Sequence, residues 1–368
     1  MKDMDLEEAF PALFDRMIDH EGMDYNEVIA KIVDNNHIKL ANRMIYSGCL
    51  LGDGSDCNQI INAHSIQNNG ILSELAEGGK VVLIDDTVSD ITNKKTTLVG
   101  RNEATTFRGF CKKHDECFNA IEHRKYEYGN SQQNFLFAYR AFAKVYTDNL
   151  TASNFYDKWL GEIVNNNSLE RILEKQKNAA PKKIREMKKK VVLKRQEFRQ
   201  EQLKALNKEF EEIRISMNIN LSRERYFKLE TILVEVDVQN TIACSCVPYI
   251  AMDLNGYVFN HNLKYPSFLT IIPQGNVTVV LLSFFKRHKS HFRNFINQIT
   301  SASKEEKELI ISNILLKYGD NIVFSPTQFN KFNKRALDVF AYGFNNRTQY
   351  PGEKLIRYPI NLFRPAPI

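Results

Sequence analysis

Residues 49–67 read CLLGDGSDCNQIINAHSIQ and residues 104–122 read ATTFRGFCKKHDECFNAIE. Four of the six cysteines (Cys49, Cys57, Cys111, Cys117) and three of the eight histidines (His64, His114, His123) lie in or beside these stretches. Zinc takes four soft or borderline ligands in a tetrahedron, usually delivered as two close pairs. Cys49 and Cys57 make the first pair, joined by the turn formers Gly52, Asp53, Gly54, Ser55 and Asp56. Cys111 and His114 make the second, and their two-residue gap fits a loop entering a helix. Cys111, His114 and Cys117 recur every three residues, which puts all three on one helix side. An alternative set uses His64 in place of Cys49, closing a Cys2His2 site with no open position.

The chain has 368 residues, enough for two or three domains, and an apolar fraction of 43% that supports real cores. Six cysteines are too few for a disulfide scaffold and point to a reducing compartment. The N-terminal MKDMDLEEAF is acidic and lacks a long apolar run, so no secretion signal is expected. No stretch is apolar enough for a membrane span. A cytoplasmic, soluble protein with no membrane partner is expected. The net charge of +6 is unevenly spread. Residues 1–174 carry 18 Lys and Arg against 27 Asp and Glu, residues 175–215 carry 14 against 6, and residues 232–368 carry 15 against 9. A phosphate backbone would be held first by the second half of the chain.

Around these stretches the expected order is a helical lead-in (1–44), a zinc-binding module with a helical core (45–165), a long basic helix (166–230) and an α+β domain (231–368). Residues 6–36 suggest two short helices. Gly70–Ala76 suggests a short helix, Lys80–Asp85 a strand and Ser89–Gly100 a polar loop. Within 131–160, read as a helix and its successor, Phe135, Ala138, Tyr139, Phe142 and Val145 form an apolar stripe, and Trp159 is expected to close that core. From 168 to 214 the chain has no Gly and is strongly helix-forming. Leu203, Leu206, Phe210 and Ile213 suit an antiparallel pair or a dimer seam. The period then changes: ILVEVDVQ, IACSCVPYIAM, YVFNH, FLTIIP and VTVVLLSFF read as strands, with turns at Asn255-Gly256 and Gly275-Asn276. Helices at 290–302, 304–318 and 329–342 follow, and the proline-rich tail reads as an extended strap. Cys244 and Cys246, two apart on a strand, read as small core side chains, and His288 and His291 as structural.

The Cys/His module resembles the HNH (ββα-metal) endonucleases whose hairpin is clamped by a structural zinc. The resemblance covers residues 45–122 and implies an HNH or treble-clef-like module there; with the strand and helix pattern of residues 231–368, which reads as a mostly antiparallel sheet with helices, the chain is expected to be α+β. In that family a strand ends in Asp-His and a later helix opens with Cys-x-x-Cys-His. Carried over, His64 in NAHSI takes the position of the general base and Asp115 in CKKHD that of the metal-binding histidine. Cys49, Cys57, Cys111 and His114 take the structural zinc positions, His114 replacing a cysteine. The chain departs from the pattern at Ala63, where the family has an acidic ligand, and in the seven residues between Cys49 and Cys57. Asn62 or Glu122 would have to assist Asp115 in holding Mg²⁺ or Mn²⁺. The domain order also resembles accessory proteins of bacterial mobile or antiviral defence loci.

Two functions follow as expectations. The first is a metal-dependent phosphodiesterase of HNH type acting on nucleic acid, DNA ahead of RNA, held by the basic helix and the C-terminal domain. The second is a non-catalytic zinc-stabilised adaptor that binds nucleic acid, or pairs through the long helix with a protein partner or a second copy. No phosphate-binding Gly loop or nucleophile elbow supports a small-molecule enzyme.

Overall fold

The computed structural model describes residues 45–52, 55–85, 91, 98–166, 182–261, 264–345 and 354–365. The helices expected over 6–36, most of the loop at 89–100, the stretch 167–181 and the side chain of Trp159 lie outside the described residues. By its contacts the chain forms two units, one of residues 47–148 with 210–368 and one of residues 149–209 with the segment up to Tyr46.

The larger unit is mixed helix and antiparallel sheet, an α+β fold. Its first strand, β1 (Ala63–His64), is followed by β2 (Lys80–Ile84), β3 (Leu98–Gly100) and β4 (Thr106–Phe107). Short helices α1 (Lys112–Asp115) and α2 (Asn119–Glu122) are joined by a 3₁₀ turn, and α3 (Ser131–Asn166) and α4 (Lys182–Ser222) are long. Then come β5 (Leu229–Val236), β6 (Ile242–Cys246), β7 (Ser267–Gln274), β8 (Val277–Phe285), α5 (Lys289–Ser301), α6 (Lys304–Tyr318), β9 (Ile322–Phe324), α7 (Pro326–Asn330) and α8 (Lys334–Asn345). Seven strands make one sheet in the order β3-β2-β9-β6-β7-β8-β5, and β1 and β4 pair separately. Every pairing is antiparallel. Gly275, at φ +64°, closes the two-residue turn between β7 and β8.

The sheet is covered on both faces, so its central strands read as nearly unbroken apolar runs rather than alternating ones. One face packs Val82, Cys244, Cys246, Ile271, Val280 and Leu282 against Phe292 and Phe295 of α5, Ile311 and Leu315 of α6 and Phe340 of α8. The buried thiols of Cys244 and Cys246 sit in this core. A capping box fixes the start of α6, with Ser303 Oγ accepting from Glu306 N at 3.2 Å and Glu306 accepting from Ser303 N at 2.8 Å. The tail forms a strap. Leu355, Ile360, Leu362 and Phe363 enter the same core, and Asn313 Oδ1 accepts the N–H groups of Arg357 and Tyr358 at 3.0 and 2.9 Å.

The other face receives the Cys/His module. Buried Asn321, just before β9, donates to Ser65 Oγ at 2.7 Å and to the Ser245 carbonyl at 3.1 Å. Tyr126 N donates to Gln274 Oε1 at 2.8 Å. Strands β2 and β3 belong to the same sheet as the C-terminal strands, so the sheet crosses the division expected near residue 231.

Four local expectations are corrected, the first being the helix expected over 329–342, which is two helices, α7 and α8, interrupted at residues 331–333. YVFNH is no strand; only a single bridge, Met252 to Val258, forms there, because the chain turns tightly at Gly256. Residues 131–166 are one continuous helix, there being no Gly or Pro before Gly161 to break it. Residues 98–100 of the expected loop pair with β2.

In the smaller unit the parts of α3 and α4 lie side by side in opposite directions. Asn149 Nδ2 donates to Asn207 Oδ1 at 2.6 Å, and Asp157, further along α3, meets Lys204, earlier in α4, at 3.0 Å. This is the antiparallel pair among the alternatives offered by the sequence. Among the described residues no helix is long and apolar enough to cross a membrane.

Candidate metal centre and histidine hairpin

Two short backbone ladders bring the distant Cys pairs together. Ile60 bridges Cys111, Ile61 N donates to Phe110 O at 3.1 Å, and Lys112 N donates to Gln59 O at 2.9 Å. Leu50 N donates to Gly109 O at 2.9 Å, which brings Cys49 alongside. Beneath them Phe110, fully buried, meets Phe107, Phe118 and Tyr139 edge-on at 5.9, 5.0 and 6.0 Å between ring centres. Cys111 is extended and α1 begins at the next residue, so the first helical turn lifts His114 over the Cys111 sulfur.

The result is a four-sided cluster of Cys49, Cys57, Cys111 and His114, whose ligand atoms all lie within 4.8 Å of one another. His114 Nδ1 is 3.3, 3.6 and 3.2 Å from the sulfurs of Cys49, Cys57 and Cys111. A tetrahedral zinc with bonds of about 2.3 Å to sulfur and about 2.0 Å to nitrogen sets S···N edges near 3.5 Å. The cluster can therefore hold a metal ion such as zinc. The far side of the ring supports the same orientation: His114 Nε2 is 3.2 Å from Asp56 Oδ2. A carboxylate behind a ligating imidazole fixes its tautomer. Lys113 Nζ holds the same carboxylate at 3.0 Å, and together these groups keep Asp56 below the usual carboxylate range.

Gly52 completes the cradle. A Cβ there would overlap the Cys57 sulfur and stand 3.0 Å from His114 Cε1. The two helix cysteines differ in character. Burial works to raise the Cys111 thiol, but the Asn58 and His114 N–H groups and the Cys49 and Cys57 thiols outweigh it and bring it down to about 6. Burial pushes the half-buried Cys117 thiol up to about 12, which keeps it protonated and unreactive. Cys117 lies outside the four-residue cluster.

His64 is also outside it. It stands on β1, paired with Thr106 of β4, while its neighbour Ala63 pairs with Phe107 and is buried. His64 Nδ1 is 3.0 Å from the Ala104 carbonyl. A carbonyl only accepts, so Nδ1 carries the proton and Nε2 keeps its lone pair. Burial, with Arg140 and Arg101, lowers the pKa of His64 against the opposing pull of Ala104 and Glu122, which favours the neutral ring. The carbonyl is aimed by an unusual residue: Thr105 is β-branched, buried and at φ +62°. Its own carbonyl accepts from Ser65 N at 3.0 Å. Asn62, two residues before His64 and thus on the same side of the strand, accepts from Arg108 Nε at 3.0 Å.

Asp115 ends α1, beside His114. Its carboxyl is raised by burial, against the pull of Arg140, whose Nη2 lies 3.7 Å from Oδ1. Arg140 Nη1 pairs with Glu122. Arg140 is 2% exposed, among the largest fully buried side chains of the described residues, and its guanidinium lies 4.3 Å from the centre of the Phe118 ring. Arg140 and Glu122 therefore stand electrostatically between His64 and Asp115. Among the described residues, His64, Asp115 and Glu122 do not close into a ligand cluster like that of the cysteines.

Sequence reasoning missed Arg140 and the Ala104–Thr105 turn, and read Gly52 and Asp56 only as turn formers. Arg140 left one signal, a lone cation inside the stripe FLFAYRAFA. Asp56 left only its adjacency to Cys57. No protein-family model, curated protein or solved structure matches this chain.

Proposed function

We propose that the chain hydrolyses phosphodiester bonds in nucleic acid, with His64 as general base on an HNH-like hairpin whose shape is set by zinc at Cys49, Cys57, Cys111 and His114. The observation that carries this reading is the hydrogen bond from His64 Nδ1 to Ala104 O, which leaves a neutral imidazole with its Nε2 lone pair available. Such a group takes a proton from water as the water attacks phosphorus. Arg101 and Arg108 supply cations near His64 for the phosphate oxygens. Mg²⁺ or Mn²⁺ at Asp115, with Glu122 nearby, would neutralise charge on the phosphate when bound. Asp115 Oδ1, buried without a hydrogen bond and facing Arg140 Nη2 only at 3.7 Å, suits such an ion.

The test is cleavage of single- and double-stranded DNA and RNA with Mg²⁺ or Mn²⁺ present. His64→Ala should lose roughly 10²- to 10⁴-fold in rate. Unchanged cleavage in that variant sinks the proposal. A second reading, a zinc-stabilised adaptor without catalysis, is favoured by one contact: Arg140 already neutralises Glu122. It expects tight zinc and no cleavage by wild type with any of these substrates.

A further inference from the structure

Away from the hairpin, a cleft of about 420 Å³ opens between the turn at 253–259 and the first turns of α5. We infer that this cleft binds unpaired nucleotides of a single-stranded nucleic acid, stacking a base on Tyr257 and holding its phosphate with Arg293. Its volume is that of a small-ligand site. Its lining includes Tyr257, His261, Ser290, Arg293 and Asn294, and no acidic residue.

Tyr257 is 65% exposed, and its backbone holds it there. Asp253 Oδ1 accepts from Asn255 N and Tyr257 N at 2.9 and 3.0 Å, Asp253 N donates to Tyr257 O at 2.9 Å, and Gly256 sits at φ +87°. A rigid turn thus presents a large ring to solvent with little left to order on binding. The floor is Phe259, packed on Phe292 and Phe295 at 5.2 and 6.0 Å between ring centres. On the opposite wall Ser290, Arg293 and Asn294 are three and four residues apart and share a helix side. Buried Asn260 ties down the end of the turn segment next to Phe259, donating to Ile250 O and Tyr265 O and accepting from Tyr265 N.

The charge is one-sided. Residues 286–293 read KRHKSHFR, without an acid. Lys289 is taken by Glu230 at 2.6 Å and Arg287 lies over the Phe285 ring, but Arg293 has no ion-pair partner among the described residues. An exposed aromatic platform beside a free guanidinium, an amide and a hydroxyl fits a base and its phosphate. A duplex hides the faces of its bases from Tyr257, so the occupant is a single strand. Cleavage at His64 is not required for this inference.

The experiment is fluorescence anisotropy of the full chain carrying His64→Ala, with a short dye-labelled mixed-sequence single strand. Tyr257→Ala should weaken binding roughly 5- to 100-fold, while Tyr257→Phe stays within about twofold. Arg293→Ala should reduce the salt slope of binding by about 0.7. Circular dichroism of Tyr257→Ala should match the parent, since the turn is held by backbone and Asp253. Unchanged affinity in Tyr257→Ala overturns the inference. So does equal binding of the matching duplex, equal competition by polyglutamate, or saturation by a nucleoside monophosphate where the strand fails to bind. Cleavage by the wild-type chain is scored separately, so loss of either conclusion leaves the other standing.

Discussion

His114 faces three thiols through Nδ1 and Asp56 through Nε2, the latter at 3.2 Å. The ring is held from both sides, and Asp56 is in turn gripped by Lys113. Removing the outer carboxylate leaves all four ligands in place but frees the ring. Asp56→Ala should weaken zinc retention by about 10- to 100-fold in competition with a chromogenic chelator, without abolishing it. Equal retention by variant and wild type would remove Asp56 from the centre.

Gly52 offers a sharper probe because it contributes no ligand. In Gly52→Ala the new methyl competes for the space of the Cys57 sulfur. Elemental analysis of protein purified without added metal should find about one zinc per chain in wild type and well under half of that in the variant. Full occupancy in Gly52→Ala would mean that the loop relaxes freely.

Replacing Arg140 by Leu strands the carboxylates of Glu122 and Asp115 beside it. Breaking one side of a buried ion pair costs about 3–5 kcal/mol, so urea denaturation should show a loss of that order. Arg140→Lys keeps the charge and should lose less, though it cannot span both carboxylates as a guanidinium does. A loss under about 1 kcal/mol for Arg140→Leu would show that the pair is already well hydrated.

The pH dependence of cleavage follows from His64. Burial lowers its pKa, so the neutral, proton-accepting form persists to lower pH than for an ordinary histidine. The acid limb of the rate profile should fall below about pH 6.5. The same sign applies to stability: a depressed folded-state pKa means that the His64 contribution is complete above the unfolded value and is lost as pH falls through the folded one. A limb above pH 7 would assign the base to another group.

Much of this was legible where the chemistry is local. Cys111 and His114 stand out because two residues separate them, and the helices at 304–318 and 182–222 announce themselves through a Ser-x-x-Glu start and a long run of helix formers. Strands β5 to β8 were readable from their apolar content, whereas YVFNH was read as a strand and is not one, and the three-residue β9 was not read at all. What stayed hidden depends on partners far away in sequence. Nothing near Lys80–Ile84 says that it pairs with Ile322–Phe324, since register is a property of two segments at once. The acceptor for His64 is a main-chain carbonyl, a group every residue has, so no pattern of side chains marks Ala104. Arg140 was masked by its own neighbours, because an apolar stripe is normally read as core and its one cation passes as surface.

The placement of β2 has a consequence for biosynthesis. The strand leaves the ribosome soon after the first Cys pair, yet its partner β9 is made hundreds of residues later. At ordinary elongation rates the wait lasts tens of seconds. During that interval Val81, Val82, Leu83 and Ile84, all buried in the finished sheet, can pair only with β3 on one edge, and the edge that β9 covers stays open. A nascent fragment ending before β9 therefore exposes a sticky strand beside thiols that are open to the wrong metal or to oxidation. Expression of residues 45–165 alone should give aggregate, and the yield of full-length protein should rise with chaperone supply and with zinc in the growth medium.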